Sequence, residues 1–311
     1  MKKVILAIAA MVLTAGMISA QDMAQATELY NNGANAISEK NWTAALDYFQ
    51  KALEMGQTIG DEAAEIVTNC KNAIPSVCMQ IAQDLIEADK LEEAETKLAD
   101  VVKVATEYGN EEVAEKAKAL VPAMWLQKGA QALKDQDFAG AAPALAKAYS
   151  LDPTNGKTAL YLGQALSKLG KIDEAVEAYN NAAANGEEKA AKSQCGTMFL
   201  SKASAALKAA KYADAIKAAE QANSYVENPN AYLILGQASQ KLGKNAAAIT
   251  NFEKYLQLKP DASNAGAITY TVAALYQGAK NNAKALEYYK KIVNDPKFGA
   301  QAKQMIASLS K

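Results

Sequence analysis

The sequence of 311 residues contains no histidine and no arginine. Without histidine, the chain has no Ser–His or Cys–His nucleophile pair, no His-ligated zinc and no imidazole pH switch. Without arginine, all 33 cations are lysines, and planar two-point clamps for phosphate, carboxylate or guanine are excluded. The 34 acidic residues leave a net charge of −1, which argues against a nucleic-acid partner.

Cysteine, proline and aromatic residues are also scarce. The chain has 3 cysteines and 7 prolines, and only 7% of its residues are aromatic, although 50% are hydrophobic. Alanine supplies roughly one residue in five, which favours closely packed helices. Cys70 and Cys78 would be about 12 Å apart along one straight helix, too far for a disulfide. We therefore predict that Cys70, Cys78 and Cys195 are buried free thiols.

The first twenty residues resemble a bacterial secretory signal. Lys2 and Lys3 precede an apolar run and then small residues that end at Ala20. A retained membrane anchor is the alternative, but the apolar run is short for a span. The sequence therefore predicts cleavage after Ala20 and export to the periplasm of a Gram-negative bacterium, with secretion as a further possibility. No later stretch is apolar enough to cross a bilayer, so we expect no stable membrane insertion after cleavage.

Internal repetition is the strongest pattern in the rest of the chain. The letters LGQALSKLGK at 162–171 return as LGQASQKLGK at 235–244. Around them, a large residue, a small residue and an alanine recur in a fixed order, as at Trp125, Gly129 and Ala141. The recurring alanines stand at Ala45, Ala94, Ala141, Ala175, Ala215, Ala248 and Ala285.

This order of residues resembles the tetratricopeptide repeat family, whose unit is a 34-residue helix–turn–helix. The resemblance implies an all-α fold, an α-α superhelix (a tetratricopeptide repeat solenoid) of about seven helix-turn-helix repeats. It also implies that the large residues Phe49, Trp125, Tyr179 and Phe252 lie in the core. The repeats would fall near 26–59, 61–108, 111–154, 156–187, 188–227, 229–261 and 264–296, with a capping helix at 297–311. Together they make 21–311 one solenoid domain after a signal peptide at 1–20.

The early repeats are longer than the family unit. The recurring alanines are 49 and 47 residues apart between Ala45 and Ala141, and 34 apart between Ala141 and Ala175. Two interpretations remain open. In the first, the first helices of the second and third repeats are long, about 61–88 and 111–135, and bend at Pro75 and Pro122. In the second, each proline opens a new helix, which gives three-helix repeats. Long helices are slightly favoured.

Motifs of catalysis are missing. The chain has no GxxxxGK phosphate loop, no GxGxxG, no GxSxG and no calcium-loop spacing. Acid pairs such as Glu92-Glu93 and Glu111-Glu112 suit helix starts. Asn41 opens a formal glycosylation sequon, but a turn or cap role is favoured. We expect a non-catalytic protein with no cofactor and no metal.

The resemblance also implies a concave binding groove lined by the first helix of each repeat. Carried over by motif position, the groove residues are Leu126, Leu160, Leu200 and Leu233, with Gln164, Ser204 and Gln237 beside them. At another position of the motif, four consecutive repeats all carry a lysine: Lys134, Lys168, Lys208 and Lys241. They form a basic stripe for an acidic partner. The favoured alternative is that each lysine interacts with the free carbonyl groups at the C-terminal end of its helix.

The predicted function is a periplasmic scaffold that binds peptide or helical segments of other envelope proteins. The predicted signal peptide is followed directly by Gln21, which weakly resembles exported repeat proteins of Gram-negative anaerobes of the Bacteroides type. Two alternatives are a component of an outer-membrane assembly or secretion apparatus, and a glycan- or peptidoglycan-binding protein. Glycan sites usually stack sugar rings on exposed aromatics, and here Tyr30 and Tyr270 are the main aromatics outside core positions. The oligomeric state is not predicted.

Overall fold

A computed structural model describes residues 20–310, and the secondary structure of these residues is helical. The all-α fold predicted from the repeats is thereby confirmed. Residues 1–19 of the predicted signal peptide lie outside the described range, so the structure does not test that prediction. The α-helices are α1 (Ala20–Ser38), α2 (Trp42–Ile59), α3 (Ala64–Glu87), α4 (Leu91–Glu107), α5 (Glu111–Lys134), α6 (Phe138–Leu151), α7 (Gly156–Lys168), α8 (Ile172–Ala182), α9 (Glu188–Lys208), α10 (Tyr212–Tyr225), α11 (Pro229–Lys241), α12 (Asn245–Leu258), α13 (Ala265–Gly278), α14 (Asn282–Lys291) and α15 (Gly299–Leu309).

The chain divides into two compact units, and the boundary between Lys128 and Gly129 falls inside α5. In the N-terminal unit (described residues 20–128), α1, α2, α3 and α4 each pack against the next helix in sequence. In the C-terminal unit (described residues 129–310), the same serial packing runs from α6 to α15. Each helix therefore buries its apolar face mainly against its neighbours in sequence, as in a repeat protein.

Glycines let the two helices of a repeat approach closely. A methyl group added at Gly163 of α7 would lie 2.6 Å from ring carbons of Tyr179 on α8. At Gly236 of α11, it would lie 2.5 Å from the ring of Phe252 on α12. Large residues on the second helix thus fill the space left by glycine on the first. The predicted core positions of Phe49, Trp125, Tyr179 and Phe252 are confirmed, since these side chains are at most 9% exposed.

The turn inside each repeat has one residue in the left-handed backbone region. This residue stands five positions before the recurring alanine, with φ between 55° and 76°. Glycine, which tolerates this conformation, occupies it only at Gly170 and Gly243. The other five are Lys40, Asp89, Gln136, Ala210 and Lys280. Because most of these turns lack glycine, the usual sequence signal for a helix end is missing there.

The long first helices of the second and third repeats are confirmed. Helices α3 and α5 each have 24 residues and continue through Pro75 and Pro122. The alternative of three-helix repeats is therefore wrong. A 3-10 turn at Asp61–Ala63 precedes α3. At the other end, α15 packs on α14 through the buried Ala302, as a capping helix does.

Helix α9 begins at Glu188, where the fifth repeat was predicted to begin, and is longer than the other first helices of its unit, α7, α11 and α13. It has 21 residues, and a π-helical turn at Ala183–Glu187 separates it from α8. Asn185 and Gly186 leave helical geometry in this turn, and Gly186 has a φ of 95°. The extra length places a new first half of α9 beside α7, with consequences for the site described below.

Two smaller predictions, on the cysteines and on Asn41, are confirmed. All three cysteines are free and buried, and burial raises the pKa of Cys70 and of Cys195 to about 11. Asn41 is the N-cap of α2, where its side chain accepts a hydrogen bond from the Ala44 N–H at 3.2 Å. Between residues 20 and 310, no helix is both long enough and apolar enough to span a bilayer.

Candidate functional site

The C-terminal unit contains a groove of about 900 Å³ between α7 and α9, which we call the α7–α9 groove. Helix α7 contributes Gln164, Ser167 and Lys168 to its lining. Helix α9 contributes Gln194, Thr197, Met198, Ser201 and Lys202. Apolar side chains of neighbouring elements complete it, including Leu133, Phe138 and Ile172.

Helical periodicity explains why these side chains share one surface. On α7, Gln164 and Lys168 are four residues apart and therefore lie on the same face. The opposite face of α7 is buried through Ala159 and Gly163. On α9, Gln194, Met198 and Ser201 follow the same spacing of three to four residues. Each helix thus keeps its small residues in the core and offers amide, hydroxyl and amino groups to the groove.

A buried tyrosine supports the floor of the groove. Tyr179 is 2% exposed and also contributes to the groove lining. Burial raises the pKa of its phenol well above the ordinary value, and a hydrogen bond with Ser167 partly opposes this shift. The Tyr179 hydroxyl therefore stays protonated at neutral pH, and its bond to Ser167 links α7 to α8.

The groove carries uncompensated positive charge. Lys168 and Lys202 both line it, and within the described part of the chain neither has a carboxylate within 4.0 Å. The Lys202 ammonium lies 5.9 Å from the centroid of the Phe199 ring, a weak cation–π contact. Two lysines together with amide and hydroxyl groups make a polar surface suited to carboxylates and to backbone carbonyls.

A second groove of about 560 Å³ adjoins the first, because Ile172, Lys202 and Ala205 line both. Its charges are mixed, with Lys211 and Lys217 facing Asp173 and Asp214. Lys202 therefore stands between a cationic groove and a mixed one. A third groove, of about 330 Å³, lies in the N-terminal unit beside Trp42, Ile81 and Leu85.

The structure brings only two of the predicted site residues into the α7–α9 groove, Gln164 and Lys168. Leu160 is 8% exposed and belongs to the core, so it offers almost no surface to a partner. Leu200 and Leu233 also pack against core clusters. Both are partly buried, because the apolar face of each first helix packs against its neighbours.

The other predicted residues lie apart from this groove. Ser204 and Gln237 are half-buried and do not line it. Leu126 is half-buried and belongs to the N-terminal unit.

The four lysines of the predicted stripe share one structural position. Lys134, Lys168, Lys208 and Lys241 are the last residues of α5, α7, α9 and α11, and all four are exposed. This geometry matches the helix-end interpretation, since a cation in the last turn interacts favourably with the free carbonyls. Lys168 is the one of the four that also lines the α7–α9 groove.

Sequence reasoning missed the α9 side of the groove, namely Gln194, Thr197, Ser201 and Lys202. The family motif of this repeat begins near Phe199, so it assigns no role to Gln194. Ser201 and Lys202 follow Phe199 at motif positions that the family does not use for the groove. One signal was present: Ala175 and Ala215 are 40 residues apart instead of 34. Those six extra residues correspond to the added length of α9.

Acidic and thiol side chains do not gather into a metal site. Within residues 20–310, no group of three His, Cys, Asp or Glu side chains is close enough together to hold a metal ion. The α7–α9 groove is lined by lysine, amide, hydroxyl and apolar groups.

Two family models match this chain, both described as tetratricopeptide repeat, at residues 132–194 and 200–263. No curated protein sequence matches it. Among solved structures, a crystal structure of MamA protein is 22% identical, covering 58% of this chain and 94% of its own, with a TM-score of 0.37. MamA from Desulfovibrio magneticus RS-1 is 16% identical over 56% of this chain and 93% of its own, with a TM-score of 0.35. The pilF protein of Pseudomonas aeruginosa is 19% identical over 62% of this chain and 90% of its own, with a TM-score of 0.30.

These TM-scores are below 0.5, so the three solved structures support no conclusion about function. The two family models do bear on the site, because residues 132–194 and 200–263 together include most of the α7–α9 groove. Tetratricopeptide repeats are generally non-catalytic modules of protein–protein interaction. The chain thus carries tetratricopeptide repeats over residues 132–194 and 200–263, which supports a protein-interaction scaffold.

Proposed function

We propose that this protein is a non-catalytic scaffold of the periplasm that binds a peptide or helical segment of another protein in the α7–α9 groove. The observation that carries the proposal is the groove itself, about 900 Å³ of open space between the first helices of successive repeats. A volume of this size accommodates several residues of a bound segment. The repeats at residues 132–194 and 200–263 support the same interpretation.

The lining suits recognition of a polypeptide backbone. The amides of Gln164 and Gln194 can each donate to a carbonyl and accept from an N–H, as an extended segment requires. The Ser201 hydroxyl can likewise donate and accept. The Thr197 hydroxyl donates to the backbone carbonyl four residues earlier in α9 at 2.9 Å, so it is left as an acceptor. Met198 is 6% exposed and belongs to the core, so it supports the groove from below. The mixture favours moderate affinity over a sharp preference for one group.

The proposed location rests on the first twenty residues. Their short positive start, apolar run and small-residue end are typical of a cleaved secretory signal. Cleavage after Ala20 would leave a mature chain with 31 lysines and 34 acidic residues. Its partners would then be other envelope proteins or peptides.

Glycan binding is the less favoured alternative. The two aromatics outside the predicted core are packed against other rings. Tyr30 lies 5.5 Å from the Phe49 ring, and Tyr270 lies 5.4 Å from the Tyr289 ring, measured between centroids. Both tyrosines are only partly exposed. Neither offers the open flat face on which a sugar ring usually stacks.

Site-specific photocrosslinking in intact cells tests the proposal. A photoreactive residue at Ser201, an exposed position in the groove, should give an adduct with another protein. The matched control is Thr250, which is equally exposed on α12 and lies outside the groove. Mass spectrometry then identifies the captured molecule. Equal adducts at both positions, or glycan without protein at Ser201, would contradict the proposal.

A further inference from the structure

Charge is unevenly divided between the two compact units. Residues 21–128 contain 19 acidic residues and 9 lysines, a net charge of −10. Residues 129–311 contain 15 acidic residues and 22 lysines, a net charge of +7. The near-neutral balance of the whole chain therefore hides two oppositely charged halves.

The excess charges on both sides are exposed and free to interact. In the N-terminal unit, Asp61, Glu62 and Glu65 are exposed, and no ammonium group of the described chain lies within 4.0 Å of them. In the C-terminal unit, Lys168 and Lys202 line the α7–α9 groove without a carboxylate neighbour. Opposite net charges of this size attract over about 10 Å at 0.1 M salt and over longer distances in dilute buffer.

We infer that the α7–α9 groove binds the acidic N-terminal unit of a second copy of this chain. The inference rests on the groove of the proposed function and names one occupant for it. Charge complementarity is the argument, because the chain itself supplies the acidic surface that Lys168 and Lys202 lack. Such a contact joins two different surfaces, so it is heterologous. Repeated head-to-tail contacts form a ring if the rotation between copies closes and an open chain if it does not.

Sedimentation of the full chain at a series of concentrations tests this inference. In about 20 mM salt, the average mass should rise with concentration beyond that of one chain. At about 300 mM salt, the association constant should fall at least about tenfold, because screening weakens contacts between exposed charges. A mass that equals one chain at every concentration in low salt would overturn the inference.

Charge variants locate the two contacting surfaces. A groove variant combines Lys168→Glu with Lys202→Glu and should weaken association about tenfold or more. Its matched control combines Lys290→Glu with Lys303→Glu. These lysines are exposed in the same unit and lie outside the grooves described above. The control carries the same net charge, so equal weakening in both variants would overturn the assignment to the groove.

Complementation makes the test decisive. A second variant replaces exposed carboxylates of the N-terminal unit by amides. Its substitutions are Glu28→Gln, Glu39→Gln, Glu54→Gln, Asp61→Asn, Glu62→Gln, Glu65→Gln, Glu87→Gln and Glu107→Gln. Each variant keeps one of the two surfaces, so neither should associate with itself. A mixture should form a complex that stops at one copy of each, and no complex in the mixture would overturn the inference.

The outcome is separable from that of the proposed function. Circular dichroism confirms that each variant is folded before its mass is measured. If the copies do not associate while Ser201 still crosslinks to another protein, the inference fails and the proposed function stands. If Ser201 crosslinks only to a second copy of this chain, the inference stands and the proposal of another protein as the partner fails.

Discussion

At the scale of single residues, the repeat depends on glycine opposite a large side chain. Gly163 and Tyr179 show the arrangement, since the ring occupies the space where a methyl group would lie. Where the second helix instead offers a small residue, as Ala219 does, the first helix carries Ala203.

We predict that Gly163→Ala destabilises the protein by about 1–2 kcal/mol. The added methyl would lie 2.6 Å from Tyr179 ring carbons, and overpacking of this kind costs about 1–3 kcal/mol. The higher helix propensity of alanine offsets up to about 1 kcal/mol of that cost. Urea unfolding followed by circular dichroism measures the difference.

The control for this substitution is Gly278→Ala. Gly278 is the last residue of α13, is exposed, and has open space where a methyl group would be added. Only the propensity gain remains there, so the variant should be neutral or more stable by up to about 1 kcal/mol. Equal destabilisation by both substitutions would show that the contact with Tyr179 is not the cause.

At the scale of helices, the sequence predicted the fold well and the groove poorly. The recurring alanines and their large partners carry the packing of each hairpin, so they are visible as a period. The turns are less visible, because residues such as Lys40 and Ala210 adopt left-handed backbone in place of glycine. The groove depends on how far α9 extends before Phe199, and the family template says nothing about that extension. Gln194 was therefore missed. Lys202 follows Phe199 and was missed because the family motif places no groove residue at its position, and Leu160 was assigned to the groove although it is 8% exposed.

A shared carboxylate connects three helices near the C-terminus. The hydroxyls of Tyr276 on α13 and Tyr288 on α14 both donate to Oε1 of Glu253 on α12, each at 2.8 Å. Burial and this carboxylate together raise the pKa of Tyr276 to about 12. Two donors on one anionic oxygen hold the sixth repeat to the seventh.

We predict that Glu253→Gln destabilises the protein by about 1 kcal/mol. A neutral amide oxygen accepts more weakly than a carboxylate, and the partial exposure of the cluster limits the loss. Hydrogen exchange should quicken in α13–α15 and stay unchanged in α7 and α8, because repeats stabilise their neighbours. Glu220→Gln, at an exposed position of α10, serves as the control and should leave both regions unchanged. Faster exchange throughout the protein would contradict the local role.

At the scale of the whole molecule, the two compact units differ in their spectroscopic reporters as well as in charge. Both tryptophans, Trp42 and Trp125, lie in the N-terminal unit. Trp125 is buried, and its indole N–H donates to Glu95 at 3.2 Å. Tryptophan fluorescence therefore reports on the N-terminal unit, while circular dichroism reports on the helices of both units.

We predict that the two units unfold at different urea concentrations. Serial contacts between repeats weaken cooperativity over long chains, so transitions followed by fluorescence and by circular dichroism should not coincide. Gly163→Ala should lower the midpoint seen by circular dichroism and leave the fluorescence midpoint in place. Equal shifts of both midpoints would show that the whole chain unfolds as one cooperative body.

The lysine-only cation set has a chemical consequence for the molecule as a whole. Every positive side chain is a primary amine, and Lys168 and Lys202 of the α7–α9 groove belong to the same reactive class. Graded acetylation therefore produces a charge ladder, a family of species that differ by single amino groups and separate by electrophoresis. No guanidinium or imidazolium remains to keep a residual positive charge. The electrophoretic mobility of each species gives the number of lysines that are still charged. The species at which a bound partner is lost gives the number of charged lysines that binding requires.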